Sequence, residues 1–200
     1  MTTADSFAAD LETCYADALR YCRALCAGWS PSEAEDVLHE ALLKALGAYD
    51  GLRDRARFRP WLFQIVTRTF HSAARRSLWK RFVPLDWSPR PGDRETFPRV
   101  YARPEWLEER ITLLGALTGL SDRERAALLL FELGGFSLEE IAGIQGARSI
   151  SAVKSRLSRA RAKLKDRLDG PGPAAAPRTG AAAGKDLDDE TLHAIHAATA

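Results

Sequence analysis

Leu11, Tyr15, Ala18, Cys22, Leu25 and Trp29 step along the chain by four and three residues, the spacing of one buried helical face. One packed helix is predicted across them. Ser30-Pro31-Ser32-Glu33 then opens a second helix, with Ser30 as N-cap, Pro31 at the first helical position and Glu33 closing a capping box. Its inner face is Ala34, Val37, Leu38, Ala41 and Ala45, while Asp36, His39, Glu40 and Leu43 point the other way. A leucine exposed among acids and a histidine does not suit a plain solvated face. A third helix is predicted from near Pro60, with Leu62, Ile65, Val66, Thr69 and Ala73 inward. Gln64, Arg68, His71 and Arg75 lie on its outer face.

Further along, Ser121–Glu124 and Ser137–Glu140 both fit the capping box, and Gly134-Gly135 ends the helix between them. The predicted order is a helix, a Gly-Gly break, a short helix over "LEEIAGI", a turn around Gly146, and a long basic helix ending at Leu168. A short helix, a glycine turn and a basic helix form the helix-turn-helix pattern. Between these two halves, residues 83–106 hold five of the ten prolines and no sustained periodicity, so they read as an extended linker. The stretch from Gly170 to Gly184 is low-complexity, and "KDLDDETLHAIHAATA" after it reads as a short amphipathic helix through Leu187, Leu192 and Ile195. The expected fold is all-α: a helical module at 7–82, a linker at 83–106, a helix-turn-helix module at 107–169 and a tail at 170–200.

Composition narrows the function classes. The 200 residues are 46% hydrophobic, within the range of globular chains, and carry a net charge of only +2. A nucleic-acid reading must therefore rest on where the charge lies. No apolar run approaches the roughly 20 residues that span a bilayer, and the N-terminus lacks the basic start and apolar core of a signal peptide. Three cysteines, an odd number, argue against a disulfide framework. A cytoplasmic protein without membrane insertion is expected. Cys14, Cys22 and Cys26 are better explained as small buried hydrophobes than as metal ligands, since His39 and His71 sit on outward faces. No nucleophile–base pair, phosphate-cradling glycine loop or paired carboxylate motif is present. Neither catalysis, a metal, a cofactor nor a small-molecule substrate is expected.

The charge is concentrated in two places. Ser149 to Leu168 holds seven Lys or Arg against one acid. On a helical wheel, Leu157, Ala160 and Leu164 fall within about 40° of Val153. Opposite them lie Ser151, Ser155, Ser158, Arg159 and Ala162, with Lys154, Arg156, Arg161, Lys163 and Lys165 on the flanks. A major groove about 12 Å wide accepts a helix that carries small residues at its tip. Flanking cations would reach phosphates, and Arg159 a base edge. The alternative is a charged, solvated helix of a bundle. The second basic region, Arg53 to Arg81, has nine Lys or Arg and one acid, interleaved with Phe58, Trp61, Phe63, Phe70, Trp79 and Phe82. Cations with stacking rings suit single-stranded nucleic acid. Phe63 and Phe70 are expected in the core, while Trp61 sits at the border of the outer face.

"EAEDVLHEALLKAL", "FRPWLFQIVTRTFHSAARR" and "LSDRERAALLLFELGGFSLEEIAGIQG…AVKSRLSRARAKL" resemble bacterial sigma factors of the extracytoplasmic-function group of the sigma-70 family. The resemblance covers about residues 7–82 and 107–168, in the family's order. It implies a region-2 domain that binds the clamp of core RNA polymerase and opens the −10 element of promoter DNA, and a region-4 domain that reads the −35 element. It also implies an anti-sigma factor as a partner. By position, Asp36 and Glu40 match the family's clamp-contacting acids, and His39 and Leu43, on the same outward face, are expected to contact the polymerase with them. Arg53, Arg55, Arg57, Phe58, Trp61, Gln64, Arg68, His71 and Arg75 would handle the −10 strand. Lys154, Ser155, Ser158 and Arg159 match the family's −35 readers, and the helical wheel adds Ser151, Arg156 and Arg161 to that surface. Two features depart from the family. Ala142 to Val153 is one residue longer than usual, and "ARSISAVK" lacks the usual Gly-Thr. These leave open which serine caps the recognition helix. Other readings are a sigma-like decoy for an anti-sigma factor, a LuxR-type regulator and an RNA-binding helical protein.

Overall fold

The computed structural model describes residues 2–82 and 113–169, and every regular element among them is helical. The expected linker, the tail and the amphipathic stretch near Leu187 lie outside these residues. The first half contains α1 (Thr3–Glu12), α2 (Tyr15–Leu25), α3 (Pro31–Ala48) and α4 (Phe58–Phe82), with 3₁₀ turns at Tyr49–Gly51 and Arg55–Arg57. The second half contains α5, described over residues 113–118, then α6 (Asp122–Glu132), α7 (Leu138–Gln145) and α8 (Ile150–Leu168).

The single N-terminal helix predicted from Leu11 to Trp29 is two helices. The chain breaks at Thr13-Cys14, where Cys14 adopts φ −139°, ψ 7°. The Thr13 hydroxyl donates to the Asp10 carbonyl at 2.7 Å and competes with the helical ladder there. The bend lets Phe7 of α1 pack edge-on against Tyr49 and Phe58, with centroids 5.3 and 5.8 Å away. The expected inner face of α3 (Ala34, Val37, Leu38, Ala41 and Ala45) is buried in full, and its capping box is formed as expected. Helix α4 starts at Phe58, two residues before the expected position.

Helix α4 is buried on two sides. Leu62, Val66 and Thr69 are buried as their spacing requires, but so are Phe63, Thr67, Phe70 and Ala74. The reason is the second half of the chain. Helices α6 and α7 pack on α2 and α4, so the two modules share one apolar core. Phe136, between α6 and α7, meets Phe63 edge-on at 5.0 Å, with the Arg59 guanidinium 4.6 Å from its centroid. Gln64 Nε2 donates to the Gly143 carbonyl at 2.9 Å, and Arg125 Nη1 donates to the Ala27 carbonyl at 3.1 Å. At Gly28 (φ +87°) a Cβ would come within 3.0 Å of the Thr118 methyl, so the close approach of the halves there requires glycine.

Candidate nucleic-acid interface

All three helix starts in this half that α8 depends on are capped. Ser121 and Ser137 each form the reciprocal box with Glu124 and Glu140. Gly146 takes the left-handed conformation (φ 59°, ψ 39°) that ends α7. Ser149 caps α8, its hydroxyl accepting from the Ala152 amide at 3.2 Å. The longer turn is thus absorbed before Ser149, and α8 starts in phase with its apolar stripe. Val153, Leu157, Ala160 and Leu164 are buried against α6 and α7.

The opposite side of α8 is open. Ser151, Lys154, Ser155, Ser158, Arg159 and Lys163 are exposed. Ser155 Oγ turns back to the Ser151 carbonyl at 3.0 Å. Arg156 and Arg161 are half-buried and held by their own module. Arg156 donates to the Gln145 side-chain oxygen, while Arg161 donates to Glu132 Oε1 at 2.9 Å with its guanidinium 5.2 Å from the Phe131 centroid. Their geometry braces α8 against α6 and α7, which leaves Lys154 and Arg159 as the more accessible cations of the expected set.

Spacing alone missed the anchor of this face. Glu124, 6% exposed, binds Lys163 Nζ at 2.7 Å through Oε2 and Arg159 Nε at 3.4 Å through Oε1. Burial opposes its ionisation, but hydrogen bonds from Lys163 and Ser121 outweigh that and hold the carboxyl down to about 2. The sequence marked Glu124 as a capping residue. The capping role accounts for only part of its contacts.

In the first module the acidic face of α3 is exposed at Asp36, His39 and Leu43, the last 71% exposed. Glu40 is half-buried, receiving Lys44 Nζ at 2.6 Å and Arg76 Nη2 at 2.8 Å. Arg53, Arg55 and Arg57 project from the loop before α4, and the Arg55 guanidinium sits 3.8 Å from the Tyr49 centroid. Phe58, expected among the strand-handling residues, is only 4% exposed and enclosed by Phe7, Tyr49 and Trp61, so its ring offers no face to a base. Trp61 is half-buried at the edge of that cluster, 5.8 Å from Phe58. Arg68 and Arg75 are exposed, whereas Gln64 is tied to Gly143 and His71 is half-buried facing Asp122, Arg123 and Arg125. The second module therefore covers part of the surface to which Gln64 and His71 belong.

All three cysteines are buried and unpaired, and no group of metal-ligating side chains occurs among the described residues. No described helix is long and apolar enough to cross a membrane.

Comparison with known proteins agrees with both halves. Residues 11–80 match sigma-70 region 2, and residues 110–164 match sigma-70 region 4. The chain is 34% identical to the ECF RNA polymerase sigma factor EcfG of Rhodopseudomonas palustris over 131 residues, covering 66% of this chain and 68% of the relative. It is 33% identical to RNA polymerase sigma factor YlaC of Bacillus subtilis over 139 residues, covering 68% of this chain and 77% of the relative. Among solved structures, the sigma factor RpoE from Bartonella quintana, in complex with the anti-sigma factor NepR, superposes with a TM-score of 0.62 at 28% identity, covering 82% of this chain and 98% of that one. An acidic α3 face with one exposed leucine, a basic α4 and a braced helix-turn-helix occur here in the order of regions 2 and 4, and the chain belongs to the extracytoplasmic-function group of the sigma-70 family: it is a transcription initiation factor, not an enzyme.

Proposed function

We propose that the work of initiation is divided between residues 7–82 and 107–169, joined by the linker at 83–106. In this reading Asp36, His39, Glu40 and Leu43 meet core RNA polymerase, with Leu43 as the apolar anchor inside a charged rim. Arg53, Arg55, Arg57, Trp61, Arg68 and Arg75 hold the melted −10 strand, and Gln64 and His71 join them once the modules separate. Helix α8 enters the −35 major groove with Ser151, Ser155 and Ser158 toward the floor, Lys154 on phosphate and Arg159 on a base edge.

The observation that carries this reading is the split of α8. Its apolar stripe is fully packed, while serines and cations dominate the exposed side. A solvated bundle helix has no need of that small-residue line between cations. A decoy that binds only an anti-sigma factor has no need of it either.

Run-off transcription with core polymerase on a promoter library tests the reading. Selective initiation, lost with α8 cation variants and weakened by Asp36→Ala with Glu40→Ala, is expected. Polymerase binding without any promoter selectivity would overturn it. The likeness to RpoE solved with NepR supports an anti-sigma factor as regulator of this chain, acting in the cytoplasm where polymerase works.

A further inference from the structure

The carboxylate of Glu124 is held more firmly than a capping residue requires. Its Oε2 receives the Ser121 amide at 3.0 Å, the Ser121 hydroxyl at 2.8 Å and Lys163 Nζ at 2.7 Å. Three donors saturate that oxygen and fix the plane of the group. Oε1 is left for Arg159, whose Nε lies 3.4 Å away. The Arg159 side chain is nonetheless 62% exposed. Its Nε thus lies within ion-pair distance of Glu124 while most of the side chain is open to solvent on the exposed side of α8. A fork of two N–H donors is what a guanine edge accepts through O6 and N7. A long, free arginine would lose several rotamers on reaching that edge, whereas one drawn toward a fixed carboxylate has fewer of them left to lose.

We propose that Glu124 is a positioning residue for promoter readout: from the buried start of α6 it orients Arg159 for a bidentate contact to guanine in the −35 element. The inference rests on the reading of α8 as the −35 helix. It carries a corollary for Lys163, whose charge is engaged by the same carboxylate and which contributes little to phosphate binding, unlike Lys154.

The test is selection from a promoter library randomised across the −35 element, using the full chain with core polymerase. The variants are Arg159→Ala, Glu124→Gln, their combination, and Ser121→Ala. Glutamine keeps one oxygen for the cap and turns an amide nitrogen toward Arg159. Arg159→Ala should reduce guanine preference at one or two positions by about fivefold or more. Glu124→Gln should reduce preference at the same positions by about threefold or more, and the double variant should fall no further than Arg159→Ala. Ser121→Ala disturbs the cap but leaves Oε1 to Arg159, so it should lower the melting temperature with base preference intact. If Arg159→Ala relaxes the preference and Glu124→Gln does not, Glu124 only caps the helix and the proposal fails alone. It fails in the same way if Ser121→Ala relaxes preference as much as Glu124→Gln at equal loss of stability. If Arg159→Ala itself changes nothing, the orientation assigned to α8 fails as well.

Discussion

Glu124 and Arg125 are consecutive residues of α6, both 6% exposed, and they face opposite halves of the molecule. Glu124 looks into its own module, where Ser121 and Lys163 donate to its Oε2 and Arg159 Nε forms an ion pair with its Oε1. Arg125 looks across the junction. It reaches the Ala27 carbonyl at 3.1 Å and Asp122 at 2.9 Å, but its Nε is buried without a partner. Burial holds the Arg125 guanidinium below the usual arginine range, with Asp122 opposing. A buried charge with incomplete hydrogen bonding costs free energy that a complete set recovers. Of the two, only Arg125 ties the halves of the molecule together, and it does so with an incomplete set of hydrogen bonds. Glu124 Oε2 is saturated inside the helix-turn-helix module, whereas Arg125 leaves its Nε unpartnered at the junction, as Arg161 does where it braces α8.

The interior of the second module should be the hardest part to lose. Leu157→Ala empties a packed site under α8 and should cost about 2–5 kcal/mol in thermal or chemical unfolding. Leu43→Ala, on the exposed face of α3, should change stability by less than about 0.5 kcal/mol while weakening polymerase binding. Acid should attack the same module next. The folded Glu124 carboxyl sits near 2, below its ordinary value of 4.5. Its stabilisation is therefore complete above about pH 5 and is lost as pH falls toward 2, an effect of roughly 2–4 kcal/mol. Glu124→Gln should remove that segment of the acid-unfolding curve, as followed by circular dichroism.

The helices of both modules were legible because their signals are local. Capping boxes at Ser30, Ser121 and Ser137, the Gly146 turn and the apolar stripe of α8 need no knowledge of the rest of the chain. What spacing could not show depended on contacts distant in sequence. Phe63 and Phe70 read as core, but nothing local says that Phe63 packs on Phe136 of the other module. Gln64 and His71 read as outward-facing, which is correct for the first module alone and altered by α6 and α7. Phe58 read as a stacking ring because it stands among arginines, but the bend at Cys14 brings Phe7 over it. Arg156 and Arg161 read as free flanks because their partners, Gln145 and Glu132, belong to other helices.

The junction should respond to substitution more weakly than either interior. Arg125→Met removes the hydrogen bond to Ala27 together with the unpartnered Nε, so a loss of about 1–3 kcal/mol from the orphaned carbonyl is partly offset. Both modules should stay folded while the radius of gyration of the chain increases in small-angle scattering. An unchanged radius would mean that apolar contacts such as Phe63 with Phe136 hold the halves together without Arg125.

The smallest expected effect is the response of the junction to mild acid. His71 is half-buried between modules, facing Asp122, Arg123 and Arg125 of the α6 side and Arg75 of its own helix. Burial pushes its pKa below 6.5; Asp122 opposes, but Arg123, Arg75 and Arg125 add to the depression. A histidine whose folded pKa is depressed contributes stability above its unfolded value and loses it as pH falls through the folded one. Lowering pH from neutral to well below the ordinary histidine value of 6.5 should therefore place a further positive charge beside Arg123 and Arg125 and favour separation of the modules. The measurement is the radius of gyration, or energy transfer between labels on α4 and α8, across that range. His71→Gln should flatten the response, while Arg125→Met should leave a weaker one, because the charged His71 is then repelled by Arg123 and Arg75 alone. A response that persists in His71→Gln would assign the acid sensitivity to another group and leave Arg125 as the junction's main electrostatic weakness.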